Sequence, residues 1–358
     1  MKRFTIDLHG PLHGIDYGGQ GGLVLLIHGL SGSAVNWCET ADKLTAYGRV
    51  IAPELPGFGR TPPAGRKVSM SAQARIMADF IEYQNRGPAL IIGNSMGALI
   101  GMILAGERPD LAERLVLINP PAPSPSLEGL SRPWIVTMLL YMVPGISNLF
   151  LKRLLNHGPP EPTTDRALDQ LAGASGRMSA TTKQLHAQVA RERHALPWPV
   201  PVHLAAFRSV MSYMVPYSRF TRTVRRVKAP TLQMHGTEDR VVPINAAERL
   251  AAIRPDWSYR PLVGVGHIPM LEAPGLVLDL VAEFMEQTGE RIVPLRRSSS
   301  PGTGPIQETI GGPGVGDPVS NHPSSFGLQN PPSRLIHFPG VVGVGGDDEE
   351  DRASLGLE

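Results

Sequence analysis

The chain has 358 residues, of which 42% are hydrophobic and 18% charged, and its formal net charge is +2. These proportions suit a globular protein with a sizeable core. So small a net charge argues against nucleic acid or a strongly acidic partner surface. A single cysteine, Cys38, excludes an internal disulfide and leads us to expect a reducing, cytoplasmic setting.

The opening stretch, MKRFTIDLHGPLHG, has a basic start with no apolar run behind it, so it does not read as a secretory signal. LVLLI at 23–27, RVIAP at 49–53, ALIIG at 89–93 and RLVLIN at 114–119 are short, near-continuous apolar runs. Such runs are what strands covered on both faces look like. Between them the spacing predicts helices, one over 71–83 with Ile76, Phe80 and Tyr83 in phase, and one from Ser95 to about Gly106. Alternating strands and helices imply a mostly parallel sheet with helices on both faces.

At PPAPSPS, 120–126, this alternation stops. Residues 120–226 are rich in Met, Leu, Arg and His, with Pro clusters at 159–162 and 197–201. We expect a helical insertion into the sheet domain. Its segment 135–151, IVTMLLYMVPGISNLFL, is the most membrane-like of the chain. A span needs roughly 20 apolar residues, and Pro144 and Gly145 interrupt this one, so it reads as a buried or lipid-contacting helix pair. The alternation resumes with strands over 229–235 and 258–264 and helices over 246–253 and 276–286. The expected organisation is a core of 1–119 and 227–290 with a helical cap at 120–226. The Gly, Pro and Ser rich segment 295–358 holds too little apolar surface to offset its ordering entropy and is expected to be a disordered tail. Its acidic run, 347–351, is a solvated stretch or a peptide-docking element.

The strongest local motif is Gly93-Asn94-Ser95-Met96-Gly97, between a strand and a helix. A G-x-S-x-G in that context is a nucleophile elbow: the tight turn pushes the Ser95 hydroxyl out of the sheet edge and aims a helix N-terminus at the reaction centre. The bland alternative is a Gly-rich turn whose serine merely caps the helix. Upstream, His28-Gly29-Leu30-Ser31 ends the first apolar strand. Acyl transfer needs two backbone N–H groups for the oxyanion, and the Met96 and Leu30 amides are the candidates, with Ser31 as the alternative to Leu30. The His28 side chain reads as structural.

Serine needs a base. Of eleven histidines, His267 is best placed, after the last strand in GVGHIPMLEAP. His9, His13, His322 and His337 read as outside the core sheet. His157, His186, His194 and His203 lie in the insertion, and His235 reads as structural. The base needs an acid to fix its tautomer. In HGTEDRVVP, 235–243, that is Asp239, with Glu238 as competitor.

These residues resemble the α/β-hydrolase superfamily over about 20–119 and 227–288, and the order Ser95, Asp239, His267 is the nucleophile–acid–base order of that fold. The resemblance includes PELPGFGRTPP at 53–63, where relatives commonly have Asp in place of Glu54. Some related enzymes place the acid one strand earlier, where this chain reads Asn119-Pro120. A Ser nucleophile argues against the epoxide hydrolases and haloalkane dehalogenases. Asn94-Ser95-Met96-Gly97 is similar to the meta-cleavage C–C hydrolases, which usually show Gly at Ala98 and Trp at Ile268.

The implied chemistry is cleavage of an ester, thioester or lipid-like acyl substrate through an acyl-enzyme, with no metal or organic cofactor. Trp134, Met138 and Met142 of the cap either line an apolar acyl pocket or form the cap's own core. The partners expected are a small apolar acyl substrate and, through the cap, a membrane periphery or lipid. C–C hydrolysis, a non-hydrolytic binding protein on the same scaffold, and an accessory protein docking through its tail are the competing readings.

Overall fold

A computed structural model describes residues 1–124, 132–143, 145–147, 149, 160–173, 178–194, 196–215 and 217–289. Eight strands form one sheet: β1 (Lys2–Asp7), β2 (Pro11–Gly18), β3 (Leu23–Ile27), β4 (Arg49–Pro53), β5 (Ala89–Asn94), β6 (Ala112–Ile118), β7 (Thr231–Gly236) and β8 (Ser258–Leu262). Their order across the sheet is β1-β2-β4-β3-β5-β6-β7-β8. β1 and β2 pair antiparallel, as do β2 and β4, and all other pairs are parallel.

The continuous apolar runs have a direct cause. Leu23, Leu25 and Ile27 of β3 enter one core and Val24 and Leu26 the other; Leu115 and Leu117 of β6 divide from Val116 and Ile118 in the same way. Successive side chains point to opposite faces, and both faces are covered. One is covered by α1 (Met70–Gln84) and α2 (Met96–Glu107), the other chiefly by the C-terminal helix, Pro274–Gln287, through Val277, Val281 and Phe284.

Among the described residues the helices between β6 and β7 are α3 (Arg132–Met142), α4 (Pro160–Leu171), α5 (Ala180–His194), α6 (Pro199–Met214) and α7 (Tyr217–Arg226). The prolines at 160 and 199 open helices, where a missing N–H costs nothing. Later in the chain, α8 (Ile244–Ile253) follows β7 and α9 (Pro274–Gln287) ends the described core. Among the described residues no helix is long and apolar enough to cross a membrane. Val136, Leu139, Met142, Val143, Ile146 and Leu149 are exposed. The expected tail, 295–358, lies outside the described residues.

One expectation needs correcting. His13 belongs to the sheet, because β2 is one of its strands and pairs with both β1 and β4. The β1–β2 hairpin evades an apolar-run criterion because its strands are only half covered, with polar residues on the open side.

Candidate active site

β3 and β5 are neighbours, and the chain leaves β3 toward β4 on one side and leaves β5 toward β6 on the other. Such a switch point opens a crevice at the carboxyl ends of the strands. Both motif loops leave from there, the one after Ile27 and the one after Asn94.

The elbow is tight enough to need its glycines. A Cβ on Gly93 would stand 2.5 Å from the carbonyl group of Gly97, and one on Gly97 would collide with the Ile27 carbonyl oxygen. Ser95 itself has φ 53° and ψ −118°, a conformation L-residues avoid and sites retain at a cost. Its N–H donates to the Ile118 carbonyl at 2.9 Å. Met96 opens α2, so its N–H has no carbonyl of the helix to bind.

His28 explains how the neighbouring loop is held. Leu55 N–H donates to His28 Nε2 at 3.1 Å, so the ring proton is on Nδ1, which donates to the Gly29 carbonyl at 2.8 Å. Gly32 N–H donates to the same carbonyl at 3.0 Å. In a trans peptide the C=O and N–H point in opposite directions. Anchoring the Gly29 carbonyl therefore fixes the direction of the Leu30 N–H. Ser31, at φ 59°, is gripped by α5 and α6: its hydroxyl is 2.7 Å from His203 Nδ1, and Arg193 Nη1 donates to its carbonyl at 2.6 Å.

Asp239 is buried, and all of its acceptor positions are used. Val241 and Val242 N–H donate to Oδ1 at 2.8 and 2.9 Å. His267 Nδ1 donates to Oδ2 at 2.7 Å, and Asn119 Nδ2 at 2.5 Å. Burial pushes the Asp239 carboxyl up, but the facing His267, its hydrogen bond, His235 and Asn119 together hold it below the usual carboxylate range. An ionised Asp239 keeps the His267 proton on Nδ1 and leaves Nε2 as the basic nitrogen. Glu238, the competing acid, is exposed.

The loop carrying His267 is tied to the elbow: Asn94 Nδ2 donates to the His267 carbonyl at 3.2 Å and to the Ile118 carbonyl at 3.3 Å. His235 donates from Nε2 to the Val242 carbonyl at 2.8 Å, bracing the acid's loop. Glu54 is buried and accepts from Arg60 N–H at 2.8 Å, which makes it a loop anchor.

Of the residues expected to line an acyl pocket, Met138 packs with Leu30, Tyr141, Leu204 and Phe207 in a small cluster. Met142 does not join it and is 46% exposed. The Trp134 side chain lies outside the described residues. Sequence offered His203 only as one of four insertion histidines that could face substrate and Asn119 only as the residue at an alternative acid position, and it gave no role to Arg193. They reach it across 120 to 172 residues of chain, a separation with no local signature.

Two histidines set an acid limit on the fold, His28 buried and His203 half-buried. Burial pulls His28 and His203 from the ordinary 6.5 down to about 4. Between those values the unfolded chain binds protons that the folded chain refuses. Stability from each group is complete above about 6.5, is lost as pH falls toward about 4, and changes no further below that. The slope is on the order of 1.4 kcal/mol per pH unit for a fully buried imidazole. Urea midpoints measured from pH 7 to 4 are expected to fall steeply, and less steeply in His203→Gln. Parallel slopes in the two proteins would remove His203 from the account.

The family model described as "Alpha/beta hydrolase family" matches residues 24–280. The chain therefore belongs to the α/β-hydrolase family, and it is a hydrolase. An uncharacterized protein of Mycobacterium bovis is 26% identical over 287 residues, 78% of this chain and 80% of its own length. A 2-hydroxy-6-oxo-6-(2'-aminophenyl)hexa-2,4-dienoic acid hydrolase of Metapseudomonas resinovorans is 27% identical over 279 residues, 76% of this chain and 87% of its own. The crystal structure of a meta-cleavage product hydrolase from Pseudomonas fluorescens shares the fold with a TM-score of 0.60 and 22% identity, covering 81% of this chain and 98% of that one.

Proposed function

We propose that this hydrolase cleaves a carboxylic ester, thioester or lipid-like acyl substrate through an acyl-enzyme on Ser95. The observation that carries the reading is the His267–Asp239 hydrogen bond at 2.7 Å on a loop tied to the strained Ser95 elbow. Ser95 Oγ attacks the carbonyl carbon as His267 Nε2 takes its proton. The tetrahedral oxyanion accepts from the Leu30 and Met96 amides. It collapses as His267 returns the proton to the leaving group. A water, deprotonated by the same nitrogen, then attacks the acyl-enzyme and releases the acid and Ser95. Asp239 supports the imidazolium in both halves. Met138, Tyr141 and Phe207 give the apolar wall against which an acyl chain rests.

A second reading is C–C bond hydrolysis. The Asn94-Ser95-Met96-Gly97 tetrapeptide and the similarity to the Metapseudomonas enzyme favour it. One experiment separates the two: a panel of p-nitrophenyl esters from acetyl to long-chain acyl, run beside a 2-hydroxy-6-oxo-dienoate. We expect kcat/KM to be highest on an ester. Turnover of the dienoate alone would replace acyl hydrolysis by C–C cleavage, and turnover of neither would leave a binding protein on this scaffold.

A further inference from the structure

We infer that Asn119 is a positioning residue of this site, its carboxamide clamping the acid to the loop that carries the base. The inference rests on the catalytic reading of Ser95, Asp239 and His267. Asn119 follows the last residue of β6 and is fully buried. Its N–H donates to the Met234 carbonyl at 2.9 Å, extending the β6–β7 pairing by one residue and fixing its Cα. There the backbone turns to φ 48°, a region that Asn, Asp and Gly tolerate best.

From this fixed point Nδ2 reaches two acceptors. One is Asp239 Oδ2 at 2.5 Å, the same oxygen that receives the imidazole proton. The other is the Gly266 carbonyl at 3.1 Å, the residue directly before His267. Both partners are acceptors only, so the amide has a single usable orientation, with its NH2 toward them. One NH2 group thus spans the acid and the base's backbone and sets the separation between them. It also takes part of the electron density that Asp239 offers to the imidazole. The sequence marks this position only as one where some related enzymes place the acid; the two contacts themselves cross more than 100 residues of chain.

The other groups facing the pair are accounted for. His235 Nε2 stands 3.5 Å from Asp239 Oδ2 but donates to the Val242 carbonyl. Glu272, on the turn after His267, accepts from Gly266 N–H and, at 2.7 Å, from Gly173 N–H of the cap. Glu238 points to solvent. None of these is altered in the variants below.

The test compares Asn119→Asp and Asn119→Gly with the wild type, both compatible with the backbone at this position. The readout is the pH dependence of the rate of fluorophosphonate inactivation, normalised to the fraction of protein labelled at completion. Its acidic limb reports protonation of the base. Asn119→Asp sets a second carboxyl group against Asp239; the pair shares one proton below its upper titration, and above it the added negative charge favours the cationic base, so the limb is expected to move up by about one pH unit. Asn119→Gly removes the donor and the clamp, with a smaller shift in the same direction and a roughly tenfold lower plateau rate. The far-downfield proton resonance of the His267 Nδ1–H bond, recorded without substrate, should move in both. A merely structural Asn119 would lower the labelled fraction and leave limb and resonance in place, and that result overturns the inference. If Asn119→Asp does not fold, Asn119→Gly decides alone. A wild-type chain that is not labelled at all overturns the catalytic reading and this inference with it. A labelled wild type with unmoved variants overturns this inference only.

Discussion

Ser95→Ala is expected to lower kcat on an activated ester by roughly 10⁶ and to abolish labelling by a fluorophosphonate. The magnitude follows from serine-triad precedent, in which loss of the nucleophile alone removes nearly all that the triad supplies. What survives is the oxyanion amides and the binding wall, neither of which forms a covalent bond. The same position makes a second, opposite prediction for stability. Ser95 sits at φ 53° and ψ −118°, and an L-residue held in so sparsely populated a region costs on the order of 1–3 kcal/mol. Alanine keeps that strain, so Ser95→Ala should melt close to the wild type. Glycine relieves it, so Ser95→Gly should be equally inactive and melt higher. Calorimetry alongside p-nitrophenyl ester turnover checks both. Retained labelling in Ser95→Ala would move the nucleophile elsewhere, and a Ser95→Gly that melts below Ser95→Ala would mean the elbow is unstrained.

The parts of this molecule legible in sequence are those whose cause is local. β3, β4, β5 and β6 appear as apolar runs because helices cover both faces of the sheet, which removes the polar alternation an open face would impose. The elbow is legible because its glycines answer a steric demand within four residues, the contact between Gly93 and Gly97. β1 was missed because Lys2, Arg3 and Asp7 remain exposed on an edge strand. The choice of Asp239 over Glu238 is a matter of one residue's rotation about a loop, which no pattern encodes. The grip of α5 and α6 on Ser31 through Arg193 and His203, and the Asn119 clamp, depend on which segments the topology brings together. Their residue types are common, and nothing nearby marks them. Of these side chains only Asn119 is fully buried, and the acceptors that its Nδ2 meets there come from distant loops.

Asp239→Asn carries the other large effect, a fall in kcat of about 10⁴, and the surroundings of the carboxylate say why the substitution is so poorly tolerated. Val241 and Val242 N–H both point at Oδ1, so an asparagine must keep its carbonyl oxygen on that side. Its NH2 is then forced into the place of Oδ2, facing His267 Nδ1 and Asn119 Nδ2. Toward the imidazole it is a donor, so Nδ1 must accept and the ring proton moves to Nε2. The nitrogen meant to receive the serine proton then already carries one. Toward Asn119 it sets two donors against each other at a distance built for a hydrogen bond, which the loop can relieve only by moving. The variant should therefore combine an intact melt, or one lowered by about 1–3 kcal/mol for the unmet donors, with slow fluorophosphonate labelling that still ends on Ser95. Glu238→Gln, exposed and without a role in this geometry, should turn over as the wild type does. Full activity in Asp239→Asn together with a loss in Glu238→Gln would reassign the acid to the neighbouring residue.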